Sequence, residues 1–116
     1  MTGLYVAAGG ALGAVLRWAA IQFVQAPIGT VVVNVVGSFL IGVAFVLLSG
    51  LDARWQLFVV SGVLGGFTTY SAYALDTVKL VEAGRYLEAG GYAIGTMVIS
   101  LAAAGFAIWA TRSFFS

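Results

Sequence analysis

"GGFTTYSAY", residues 65–73, sits in an uncharged run from Trp55 to Leu75 whose midpoint is Gly65. A helix built only to cross a bilayer has no use for two glycines, two threonines and two tyrosines at its centre. Glycine is poor in a helix interior, and a Gly-Gly pair invites a break. Broken helices at mid-membrane are tolerated where the freed carbonyls and amides line a cavity or hold an ion. The competing reading is a glycine-softened helix whose Thr68 and Thr69 hydroxyls bond back to preceding carbonyls.

The rest of the chain supports a membrane setting. Of 116 residues, 62% are hydrophobic and only 8% charged, and the mean hydropathy is +1.09. A water-soluble domain needs far more polar surface than that. The charges fall at Arg17, at Asp52 and Arg54, between Asp76 and Glu88, and at Arg112. Trp55–Leu75 has 21 residues and Ala89–Thr111 has 23, each near the roughly 20 that span a bilayer as helix. The 34 uncharged residues from Trp18 to Leu51 are too many for one span and too few for two. The first helix therefore runs back past Arg17, and Pro27 opens the second.

The predicted fold is all-α: a single four-helix membrane domain over residues 1–116 with spans at about 4–24, 28–50, 55–78 and 89–111, the third broken at mid-membrane. Unpaired backbone cannot face lipid, and the runs are too apolar for barrel strands. No soluble domain, linker or low-complexity tail is expected, and the N-terminus lacks the layout of a cleaved signal. Cysteine and histidine are both absent, which removes disulfides, thiolate chemistry and the usual transition-metal ligands.

With four spans, Arg54 and Arg112 fall on one side of the membrane, and Lys79 and Arg85 on the other, joined by Arg17 if it snorkels outward. This leaves almost no positive-inside bias. Either the orientation is weakly encoded, or the chain inserts both ways and pairs as an antiparallel dimer. Glycines four apart at Gly9/Gly13, Gly62/Gly66 and Gly91/Gly95 allow close helix approach, within one bundle or between two.

Several neutral polar groups lie inside the spans. Tyr70 and Tyr73 share a helix face. Asn34 lies in "VVVNVVGSF" with Ser38 one turn later, and Tyr92, Thr96 and Ser100 form a hydroxyl stripe along the fourth span. The four spans are read as holding no Asp, Glu or Lys, whereas cation and proton carriers usually keep an acid at mid-membrane. Hydroxyls, an amide and Arg17 suit a small anion. They replace its hydration shell, and aromatic ring edges add partial positive charge.

Three segments then resemble a known family. "GGALGAVLRW" (9–18), "GTVVVNVVGSFLIG" (29–42) and "GGFTTYSAYALD" (65–76) look like the signature segments of the Fluc-type fluoride channels, the CrcB family. The resemblance implies a dual-topology antiparallel homodimer in the bacterial plasma membrane that exports fluoride passively through two narrow pores. It also implies a structural sodium ion held by third-helix carbonyls, which by position are those of Gly65 and Thr68. Pore-lining roles pass to Asn34, Tyr70, Tyr73, Tyr92, Thr96 and Ser100, and a vestibule role to Arg17.

The sequence departs from the family pattern at several points. The family's third helix reads T-T-F-S-T-F-S-x-E, so Tyr70 and Tyr73 replace phenylalanines whose ring edges face fluoride. Ala72 and Ala74 replace hydroxyl residues, Asp76 replaces glutamate, and Trp18 replaces a tyrosine. The departures leave two readings open: a working homodimer with a modified aromatic box, or one subunit of a heterodimer in which only some pores conduct. A small multidrug exporter shares the length and span count but needs a glutamate in its first helix, and residues 4–24 hold no acid. Enzymatic chemistry has no nucleophile–base pair or metal cluster to rest on. Nucleic-acid binding has no basic patch, at a net charge of +1.

Overall fold

The computed structural model describes residues 2–115. Four helices are long and apolar enough to cross a membrane, and no strand occurs among the described residues. Helix α1 is Thr2–Phe23 and α2 is Ile28–Leu47. Pro27 stands at the N-cap of α2, where its missing N–H costs nothing.

The third span, Ala53–Glu82, is two half-helices. The first, α3, runs over residues 53–67 through Ala53–Gln56, wide π-type turns at Leu57–Leu64, and Gly65–Phe67. The second, α4, is Tyr70–Glu82. Asp52 starts α3 by accepting a hydrogen bond from the Arg54 N–H. That bond, followed by the Arg54 guanidinium, holds the Asp52 carboxyl below its ordinary pKa. Helix α5, Tyr86–Phe115, is the fourth span, reached through a tight turn at Gly84, whose φ of 78° favours glycine.

The break confirms the expected interruption but does not lie at the glycines. Gly65 is helical, with φ −61° and ψ −38°. The extended residues are Thr68 (φ −83°, ψ 161°) and Thr69 (φ −149°, ψ 118°). The glycine that packing requires is Gly66, since a methyl group there would lie 2.6 Å from the Gly10 carbonyl oxygen. Both readings of the Thr-Thr pair hold in part. Thr68 Oγ1 bonds back to the Leu64 carbonyl, 3.1 Å, while Thr69 Oγ1 caps α4 by accepting from the Ala72 N–H, 3.1 Å.

Helix α1 crosses α3 on glycines. A Cβ on Gly9 would meet the Phe58 carbonyl oxygen at 2.3 Å, one on Gly13 the Val63 carbonyl oxygen at 2.0 Å, and one on Gly62 the Gly9 Cα at 2.8 Å. Helix α2 lies along α5, with Gly42 against the Ala104 carbonyl. Gly91 and Gly95 of α5 have nothing within 4 Å of an added Cβ. The two helix pairs meet at the break, which thereby lies against α1 and α2.

Candidate functional site

Opening a helix at its centre strands backbone groups, which must find new partners in lipid. In a continuous helix the Thr69 amide would serve the Gly65 carbonyl. Here it donates to Asn34 Oδ1 at 2.8 Å, while Asn34 Nδ2 donates to the Thr69 carbonyl at 3.0 Å. One side-chain amide from α2 thus clamps both polar groups of an extended residue. Gly37, one turn further along α2, leaves space for the Thr68 methyl; a Cβ there would lie 2.2 Å from Thr68 Cγ2.

Arg17 completes the break from the α1 side. Its Nη1 donates to the Gly66 carbonyl at 2.8 Å and reaches the Thr68 carbonyl at 3.3 Å. The guanidinium therefore lies at the C-terminal end of α3, where the helix dipole favours positive charge.

Beyond the break is a cavity of about 410 Å³ lined by residues of α2, α3, α4 and α5, among them Asn34, Ser38, Tyr70, Tyr73, Thr96 and Ser100. None of its lining residues carries a formal charge. Thr96 Oγ1 and Ser100 Oγ are buried with no hydrogen-bond partner. Buried hydroxyls are seldom left so, because each costs its desolvation without return.

The fourth-span stripe divides. Thr96 and Ser100 face the cavity, whereas the Tyr92 hydroxyl donates to Asp76 Oδ2 at 3.1 Å. Thr30 Oγ1, fully buried, donates to the same oxygen at 2.8 Å. Tyr92 also ends a file of three rings: Tyr70 to Tyr73 at 5.6 Å, and Tyr73 to Tyr92 at 5.6 Å with planes 27° apart.

Sequence reasoning missed Thr30 and Asp76. The signal for Thr30 was present, since Thr30, Asn34 and Ser38 recur every fourth residue on one face of α2. Asp76 falls inside the expected third span, 55–78, but was not counted among its polar groups; the second half-helix continues past it to Glu82. An acid therefore does sit within the third span, held by two hydroxyl donors.

Comparison with known sequences decides the family. Residues 4–108 match the family described as CrcB-like protein, Camphor Resistance (CrcB). This chain belongs to the CrcB family. It is 42% identical over 101 residues to "Fluoride-specific ion channel FluC" of Granulibacter bethesdensis, covering 84% of this chain and 77% of the relative. It is 47% identical over 96 residues to "Fluoride-specific ion channel FluC 1" of Halobacterium salinarum, covering 80% and 79%. The "Fluoride-specific ion channel FluC" of Opitutus terrae is 45% identical over 112 residues, covering 86% and 84%. This CrcB-family chain is a multi-pass membrane protein of a channel family and not an enzyme.

Proposed function

We propose that the chain is a fluoride-selective channel that conducts passively, and that it works as an antiparallel dual-topology homodimer. The observation that carries this reading is the pair of buried, partnerless hydroxyls on Thr96 and Ser100, two residues that line an uncharged cavity. Two O–H donors, with aromatic edges nearby, can replace part of the hydration shell of a compact anion. No carboxylate lines the cavity to repel it or to bind a cation instead. The break adds the N-terminus of α4, whose first-turn amides favour negative charge. The names of the curated relatives support fluoride as the anion.

A dimer follows from the same polar inventory. The cavity and the break would leave polar groups beside hydrocarbon in a lone bundle, which membranes do not tolerate. A second copy supplies the missing wall, and the nearly balanced charges on the two sides of the membrane suit opposite insertion.

A structural sodium ion fits the break. The Gly65 carbonyl has lost its helical donor to Asn34, and the Thr68 carbonyl holds only the longer of the two Arg17 contacts. Oxygen ligands at the C-terminal end of a half-helix are the chemistry a sodium ion takes. Gly65 and Thr68 would hold it, and when bound it would supply fixed positive charge at mid-membrane. Asn34 and Arg17 keep the break open for that role.

The test is reconstitution of the purified chain in liposomes loaded with sodium fluoride or sodium chloride. Passive fluoride release with negligible chloride release is expected. Equal release of both, or no fluoride release, overturns the reading. If the chain alone is silent but conducts when mixed with a related short chain, the heterodimer is the correct assembly.

A further inference from the structure

The two tyrosines beside the break differ in one respect that their sequence positions do not reveal. A phenol has a single proton to donate. Tyr73 donates its hydrogen bond to the Ala93 carbonyl of α5, at 2.5 Å. Its ring further lies between those of Tyr70 and Tyr92, each 5.6 Å away, and is stacked on the second with planes 27° apart. Tyr70 lines the same cavity but is 81% exposed, and its hydroxyl bonds to none of the described residues.

We infer that these tyrosines divide the work of the anion path: Tyr70 offers a free O–H to the passing anion, and Tyr73 is a positioning residue whose phenol is locked on Ala93. The inference rests on the proposed anion-channel reading and concerns what sets its rate and its selectivity. Tyr73 presents oxygen lone pairs, not a proton, so it gives the anion no hydrogen bond. Its lock instead ties α4 to α5 and fixes one ring as a wall of the path. A fixed wall discriminates by size, because a ring that cannot swing aside cannot admit a larger anion. Tyr70 is unconstrained and can turn its donor toward the anion. Rate therefore depends on the Tyr70 hydroxyl, and selectivity on the Tyr73 hydroxyl.

Phenylalanine substitutions keep both rings and remove only the oxygens. Tyr70→Phe should slow fluoride efflux from liposomes by about tenfold or more, the weight of one hydrogen bond to a charged group, with chloride still excluded. Tyr73→Phe keeps the ring but removes its lock on Ala93, and should raise chloride efflux above background, so that the fluoride-to-chloride ratio falls further than in Tyr70→Phe. An unchanged rate in Tyr70→Phe, or intact chloride exclusion in Tyr73→Phe, overturns the division.

A second measurement does not depend on transport. In protein carrying isotope-labelled tyrosine, the Tyr73 ring should flip more slowly than the Tyr70 ring by NMR, and Asn34→Ala should leave that order unchanged. Equal flip rates overturn the lock. A wild-type chain that moves no fluoride overturns the Tyr70 role together with the proposed function, while the ring-flip rates still decide the role of Tyr73.

Discussion

The α1–α3 crossing and the open face of α5 are made from the same kinds of residue and are filled in opposite ways. Gly9 and Gly13 interlock with Gly62 and Gly66 so closely that an added methyl would strike backbone at 2.0–2.9 Å. Gly91 and Gly95 have the same spacing and touch nothing. Around the break, Asn34 and Arg17 answer the stranded groups of Gly66, Thr68 and Thr69. On another face of α5, the hydroxyls of Thr96 and Ser100 are buried and are answered by nothing. Apart from the Gly65 carbonyl, the first region finds its partners within one chain. The second is shaped for something outside it, as the proposed anion and second subunit would be.

The largest effect should come from closing the first region. Gly13→Ala places a methyl 2.0 Å from the Val63 carbonyl oxygen, and a backbone atom cannot move aside as a side chain would. Overpacking of this kind costs about 1–3 kcal/mol. Folded, detergent-extracted protein should fall sharply in size-exclusion chromatography, whereas Gly91→Ala should retain a folded chain. Equal yields from both would break the contrast between the two regions.

A smaller loss is expected from the clamp. Asn34→Ala leaves the Thr69 N–H and C=O without partners, and interhelical hydrogen bonds in membranes are worth about 0.6–2 kcal/mol each. Its thermal midpoint should drop and its fluoride flux should fall together. A stable Asn34→Ala protein would show that the break is held by α1 alone.

The smallest change in stability should come from the partnerless hydroxyls. Thr96→Val and Ser100→Ala remove groups that the fold leaves unsatisfied, so the thermal midpoint should hold or rise. Fluoride flux should nevertheless decline. Loss of stability without loss of flux would mean that these hydroxyls serve packing and not an ion.

Much of the architecture was legible in the residues. Uncharged runs near the length of a bilayer gave four spans, and Pro27 marked the start of α2. "GGFTTYSAY" located the interruption to within a few residues. Its place was read two or three residues early, because the Gly-Gly pair seemed the natural hinge. In the structure Gly66 is spent on contact with α1, and the chain opens at Thr68–Thr69, where Asn34 can replace a helical partner. Asn34, Thr96 and Ser100 could be named as polar positions. Their sequence did not reveal that the first is satisfied and the other two are not.

By itself the sequence determined that this chain lives in a membrane as four helices with a flaw in the third. Hydropathy and span length are sums over neighbouring residues, and a bilayer leaves few alternatives once they are met. Only the tertiary structure decided which tyrosine hydroxyl is tied to a carbonyl, where Arg17 points, and that Asp76 belongs with Thr30 and Tyr92. A hydrogen bond joins one donor to one acceptor across helices dozens of residues apart. Its assignment depends on their mutual rotation and depth, which no local pattern encodes.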